Sequence, residues 1–362
     1  MEDKQHISLL ANEAIELLQQ LISIPSFSRE EEGTAEAMEQ FLAYQNIDFQ
    51  HKRNNIWAVN KYFDPNKPTI LLNSHHDTVK PNAGWTKNPF KPEIQDDKLF
   101  GLGSNDAGGC LVSLLAAFRY FYDRTDLSHN LIFAATAEEE NSGAGGIESI
   151  LDELGAIDLA IVGEPTQMQM AIAERGLLVL DCVAHGKTGH AAREEGDNAI
   201  YKALKDIEWF RSFKFPKVSE FLGPVKMTVT VVKAGEQHNV VPNECHFVVD
   251  IRLTDQYTHE EVIDIIRQHV QSEIKPRSTR LKPSFISPEH PIVQAGLALG
   301  LTTYGSPTSS DQAVIPYTSI KIGPGDSARS HTADEFIYLK EIEEGVGMYV
   351  RLLEGVTRNL LS

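Results

Sequence analysis

The run TILLNSHHD, residues 69–77, decides how the rest of the chain is read. Ile70, Leu71 and Leu72 are apolar and Thr69 and Ile70 β-branched, the composition of a buried strand, and the run ends in two histidines and an aspartate. At a strand period of two, His75 and Asp77 share one side while His76 faces the other. One of the pair can then ligate a metal while the other holds its second ring nitrogen. This motif alone leaves open an ordinary polar strand end.

Working outward, the chain alternates between elements. Two amphipathic helices are predicted upstream, about 8–23 and 30–45, separated by Ile24-Pro25-Ser26, where proline stops the first. Downstream come a Gly-flanked helix, GGCLVSLLAAFRYF (108–121), and the strand-type runs LIFAAT (131–136) and LAIVG (159–163). This is the alternation of an α/β sheet domain. Between about 177 and 285 the order becomes LLVLDCVA, a helix NAIYKALKDIEWFRSF, VKMTVTVV, CHFVVDIRL, a helix HEEVIDIIRQHVQSEI (259–274) and TRLKPSF (279–285). That is the ferredoxin-like βαββαβ order, a compact unit by itself. SIKIG (319–323) and a last helix at about 340–360 resume the α/β pattern. The expectation is a larger α/β domain of residues 1–176 plus 286–362, with a domain of residues 177–285 inserted into it.

Charge narrows the function classes. The 362 residues carry 33 basic and 51 acidic side chains, a net charge of −18. Such a chain repels nucleic acid and anionic membranes, and no basic patch rescues either partner. Cys110, Cys182 and Cys245 are odd in number and widely spaced, so neither a disulfide framework nor a thiolate zinc site is indicated. The N-terminal stretch starts acidic and runs at helical period, unlike a signal peptide, and no apolar run approaches the roughly 20 residues of a membrane span. The expectation is a soluble, cytoplasmic protein.

Several strands of the larger domain lead into potential ligands, and in open α/β sheets ligand sites form beyond the carboxyl ends of strands. GLGSNDAGG (101–109) surrounds Asp106 with glycines. It is not a nucleotide loop: G-x-G-x-x-G opening a βαβ unit and a phosphate-binding Lys-Ser/Thr pair are both missing. LIFAAT delivers Glu138, Glu139 and Glu140, which would repel one another without a cation or proton between them. LAIVG leads into Glu164, and SIKIG into GPGDSARSHTADE with His331. Each motif also reads as a polar loop. Together they supply two histidines and several carboxylates without thiolate, which suits zinc, manganese or cobalt. A two-ion site needs one bridging carboxylate, two further ligands per ion and a base for the water.

In these motifs and their order the chain resembles the acetylornithine deacetylase / succinyl-diaminopimelate desuccinylase / carboxypeptidase family of co-catalytic dinuclear zinc hydrolases, and most nearly an acetylornithine deacetylase. The resemblance implies a mixed-sheet catalytic domain and a βαββαβ lid that forms a homodimer. It implies that His75, Asp106 and Glu164 hold one divalent ion and Asp106, Glu140 and His331 the other, Asp106 bridging, with zinc, cobalt or manganese as the metal. By the same resemblance Glu139 is the general base, Asp77 orients His75, and the peptide after Asp106 is cis. His190, in GKTGHAA, is implied as the lid histidine that reaches the partner's active site. Arg175, Asn239 and Arg252 are implied as binders of the substrate carboxylate and nearby groups. Leu102 and Ala107-Gly108 depart from the family's usual arginine and Met-Lys, which touches the subfamily rather than a ligand.

The implied function is hydrolysis of the amide of an N-acyl amino acid, N-acetylornithine or a related acyl-ornithine or acyl-citrulline of arginine biosynthesis. A dipeptidase, an exopeptidase or a succinyl-diaminopimelate desuccinylase remains the alternative within the hydrolases. A binding protein on this fold would not need Glu139, and a serine hydrolase would need a G-x-S-x-G elbow that the chain lacks.

Overall fold

The computed structural model describes residues 2–357. The chain divides into two compact units, Met1–Ile172 with Phe285–Tyr304 and Ser310–Ser362, and Ala173–Ser284 with Gly305–Ser309.

The larger unit is built on a mixed sheet, six of whose nine strands run Gln50–Lys52, Asn55–Val59, Asn130–Thr136, Thr69–His75, Leu159–Val162 and Ser319–Lys321 in spatial order. Four neighbours, from Asn130–Thr136 to Ser319–Lys321, are parallel. Thr69–His75 lies between two parallel partners and is buried along its whole length, which is why its apolar residues run together rather than alternate. Register aligns the carboxyl ends: His75 sits opposite Thr136, and Asn73 opposite Val162. One face of the sheet packs Leu71, Ile132, Ala134, Ala160 and Val162 against Ile147, Ile150 and Ile315. Helix Gly109–Phe121 packs against the strands and also against helices Glu2–Ile22 and Leu339–Thr357, and its nearly complete burial matches its apolar sequence. The part of the last predicted helix beyond residue 357 lies outside the described residues.

The smaller unit has a four-stranded antiparallel sheet in the order Lys226–Ala234, Glu244–Leu253, Gly176–His185, Glu273–Pro276. Gly176–His185 alternates buried and half-buried residues, and the buried set meets helices Ala199–Ser212 and His259–Arg267 in one core. Asn198 caps the first helix, and Thr258 with Glu261 forms a capping box on the second. The βαββαβ order holds, but its last strand is Glu273–Pro276 rather than Thr279–Phe285. The second helix stops at Arg267, and Asp206 then accepts the backbone N–H groups of Gln271 (3.2 Å) and Ser272 (2.8 Å), turning the chain into the strand early. Gly305–Ser309 goes with this unit because Ser306 accepts the Arg175 N–H (3.3 Å) and the Ser309 hydroxyl donates to the Arg175 carbonyl (3.0 Å).

Candidate metal centre

The aligned strand ends of the larger unit bring six side chains into one cluster. His75 Nε2 lies 3.4 Å from Asp106, 3.8 Å from Glu139 and 3.8 Å from Glu164. His331 Nε2 lies 2.9 Å from Glu140 and 3.6 Å from Asp106. Asp106 therefore faces both histidines, one through each carboxylate oxygen. Ligand atoms of His75, Asp106 and Glu140 fall within 4.8 Å of one another, as do those of His75, Glu139 and Glu164. The two groupings share His75, whereas the implied ligand sets share Asp106; His331 is joined to the cluster through its contacts with Glu140 and Asp106.

Each side chain is placed by local structure. Asp77 is 1% exposed, accepts Ser28 Oγ at 2.6 Å, and lies 3.3 Å from His75 Nδ1. Its oxygens also accept the backbone N–H groups of Glu139 (3.0 Å) and Glu140 (3.1 Å). Glu138 takes a positive φ of 55° and turns away, accepting the Gly145 N–H, which leaves the last two of the three glutamates at the cluster. Buried Glu31 accepts the Glu138 N–H (3.2 Å) and the Asn54 amide (2.8 Å). His76 points the other way, between Thr34 Oγ1 and the Asn54 carbonyl, each at 2.8 Å, as a hydrogen-bonded core histidine. The Asp106–Ala107 peptide is cis.

The electrostatics are those of crowded carboxylates. Burial, together with Glu164, Asp311 and Glu140, holds the Glu139 pKa well above the usual carboxylate range although His75 opposes this. Hydrogen bonding to Glu140 raises His331 to about 9. Burial would lower His75, but the carboxylates of Asp106, Asp77 and Glu139 beside it reverse that and raise it well above its ordinary value. His75 Nε2 is nevertheless buried without a hydrogen-bond partner. With Asp77, five carboxylates surround two imidazoles, so the cluster stays anionic even when both rings are protonated. Such a surplus in a buried space is costly unless cations neutralise it. The donors fit divalent ions: imidazole and carboxylate, with an unsatisfied ring nitrogen aimed among them.

Two buried acids that the motifs did not single out belong to this surrounding. Asp311 accepts Asn73 Nδ2 (2.7 Å) and Thr136 Oγ1 (2.9 Å), tying together the strands that deliver His75 and the glutamates, and burial raises its pKa to about 6. Glu335 accepts backbone N–H groups of the Asp106 loop, and burial with the charge of Asp106 raises it to about 8. In the sequence Asp311 stands in Thr308-Ser309-Ser310-Asp311-Gln312, which matches the family's Thr-Ser-Asp region only loosely, and Glu335 stands four residues after His331.

The remaining candidates lie in the smaller unit. His190 and Asn239 come together there, because the two-residue strands Gly189–His190 and Val240–Val241 pair and the Ala191 N–H donates to the Asn239 carbonyl at 2.9 Å. Both side chains are exposed. The Arg175 guanidinium is buried and donates to the carbonyls of Pro224, Leu222 and Arg252. Arg252 forms a two-point pair with Asp250 at 2.8 and 3.0 Å and keeps a side chain 36% exposed.

The chain is similar in fold to several solved structures. An aminopeptidase PepT from Bacillus cereus is 18% identical, with 96% of this chain and 98% of that chain covered and a TM-score of 0.76. A tripeptidase from Staphylococcus aureus is 20% identical, with 95% and 98% covered and a TM-score of 0.75. A dinuclear metal binding peptidase of the M20 family from Bacillus subtilis is 15% identical, with 96% and 98% covered and a TM-score of 0.73. Among the described residues no helix is long and apolar enough to cross a membrane. The model of peptidase family M20/M25/M40 matches residues 71–355, from the strand that ends in His75 to the last helix, and the chain belongs to that family of metallohydrolases.

Proposed function

We propose that this protein is a dinuclear-metal amidohydrolase that removes the acyl group from an N-acyl amino acid, with N-acetylornithine or a close acyl-ornithine or acyl-citrulline as substrate. The observation that carries the reading is the cluster itself, where Asp106 faces the buried His75 and the exposed His331 at 3.4 and 3.6 Å beside the half-buried Glu139, Glu140 and Glu164. His75, Asp106 and Glu164 would hold one cation, and Asp106, Glu140 and His331 the other. When bound, two zinc, cobalt or manganese ions supply Lewis acidity, polarising the amide carbonyl and acidifying the attacking water.

Glu139 takes the proton of that water as it attacks the carbonyl carbon, then gives it to the departing amine nitrogen. A carboxylate with a raised pKa suits this double duty near neutral pH. Asp77 fixes the ring of His75 and, through the N–H groups of Glu139 and Glu140, the turn that carries the base.

The lid donor is His190, acting in a homodimer on the neighbour's oxyanion. Supporting this is the edge strand Lys226–Ala234, which leaves Val231 and Val232 exposed beside an unpaired backbone edge that a second copy can cover. Recognition of the substrate carboxylate falls to Arg252, with Asn239 nearby in the motif order; Arg175, held by three carbonyls, shapes that region. The guanidinium plane favours two-point binding of a carboxylate. The acyl-ornithine choice rests on the motifs, and location in the cytoplasm and arginine biosynthesis belong to the same proposal.

An exopeptidase acting on short peptides is the second reading, favoured by the aminopeptidase and tripeptidase among the similar structures. A hydrolysis screen of the metal-loaded protein separates them. It covers N-acetyl and N-succinyl ornithine, citrulline, lysine and diaminopimelate, with a panel of di- and tripeptides. Fastest turnover of an acyl-ornithine or acyl-citrulline supports the proposal; fastest turnover of a peptide replaces it with the second reading.

A further inference from the structure

Glu335 takes no part in the proposed chemistry, yet its carboxylate is aimed at the loop that presents Asp106. It is 2% exposed. Its Oε1 accepts the N–H groups of Asn105 (2.8 Å) and Asp106 (2.9 Å), and its Oε2 accepts that of Gly103 (3.2 Å). Its own carbonyl accepts the Gly101 N–H at 3.0 Å. One residue thus engages four backbone N–H groups between Gly101 and Asp106.

The loop has little freedom to settle elsewhere. Gly101 and Gly103 have φ values of 155° and 75°. A Cβ at Gly101 would meet the Ile22 side chain at 2.3 Å, and one at Gly103 would meet Thr78 at 2.6 Å. From the other side, Asn105 exchanges two hydrogen bonds with the Asp326 backbone, each at 3.0 Å. A Cβ at Gly109 would meet Ile337 at 2.3 Å, so the segment following Glu335 also lies close against the end of this loop. Glu335 is four residues beyond His331, and it therefore joins the segment that delivers His331 to the backbone that delivers Asp106.

We propose that Glu335 is a positioning residue for the ion pair: by gripping the N–H groups of Gly103, Asn105 and Asp106 it fixes where the two oxygens of Asp106 stand relative to His75 and His331. This rests on the reading of Asp106 as the shared ligand. Hydrogen bonds from backbone amides to a carboxylate are among the stronger ones in proteins, and ligand distances in metal sites tolerate only about ±0.2 Å. Loosening the grip should therefore weaken joint binding of two ions before it affects the fold.

The test is a zinc titration of the metal-stripped full chain against a competing chelator, repeated with cobalt to follow the visible absorption of each ion. The parent takes up two ions per chain. In Glu335→Gln the amide nitrogen cannot accept the Gly103 N–H and the charge is gone. The expected result is about 10–100-fold weaker binding of the second ion and an altered cobalt spectrum, the first ion being little changed. The melting temperature of the stripped variant is recorded beside it, because a residue that only stabilises the fold lowers that temperature and leaves both affinities alone. Glu335→Asp, which keeps the charge but shortens the reach, decides the matter by the same titration if Glu335→Gln yields no folded protein. Two ions bound as tightly as in the parent overturn the inference. A parent that takes up fewer than two ions overturns the reading of Asp106 and the inference with it.

Discussion

Asp77 accepts the backbone N–H of Glu139 at 3.0 Å while its carboxylate stands 3.3 Å from His75 Nδ1. The Asp77 carbonyl also lies 3.0 Å from Nδ1, so one residue orients the histidine proposed as a ligand through its carbonyl and carboxylate and holds, through the carboxylate, the turn that carries the proposed base. Asp77→Asn preserves size but replaces one acceptor by an N–H donor facing another N–H. We expect kcat, or the affinity for metal, to fall about 10–100-fold, the usual effect of removing a group that orients a ligand. Steady-state kinetics combined with metal analysis of the purified variant checks this.

Removing the cations should affect stability as well as turnover. The crowded carboxylates lose their counter-charge, so the stripped protein should melt at a lower temperature and regain its stability on addition of zinc, cobalt or manganese. Ligand linkage sets the scale: about 2.7 kcal/mol at a free metal concentration one hundred times the Kd. Activity should vanish and return in parallel, followed by calorimetry and an amine-release assay on the same samples.

The positions of these groups were legible in the sequence to different degrees. His75 and Asp77 could be read because a strand period fixes which neighbours share a side, and Glu164 because parallel strands end along one edge. Three consecutive glutamates could not be sorted by period, since Glu138 leaves the cluster through a positive φ. Glu335 works by accepting N–H groups from a loop 230 residues away, and Asp311 by joining two strands, so neither leaves a spacing to read. The smaller unit's last strand was misplaced because Val270 and Ile274 prolong the helical pattern past Arg267, while Asp206 ends it from a distant helix.

The crossing role proposed for His190 has a consequence for assembly. Glu139→Ala and His190→Ala should each be nearly inactive as homodimers. Co-refolding makes half the dimers mixed, and in each of these one site has both residues intact only if His190 crosses to the neighbour. About a quarter of the sites should then recover in a two-fold dimer. Absence of recovery, with subunit mixing shown by a tagged chain, excludes the crossing role.

If the cluster is a two-ion hydrolytic centre in which Glu139 handles the proton, the carboxylate can be neutralised without losing the ions. Comparison of the parent with Glu139→Gln, measuring ions bound and amine released on one preparation of each, tests it most directly. We expect two ions per chain in both proteins and turnover about 10²–10⁴-fold slower in the variant. Parental turnover by Glu139→Gln, or by protein shown to hold no metal, would contradict it.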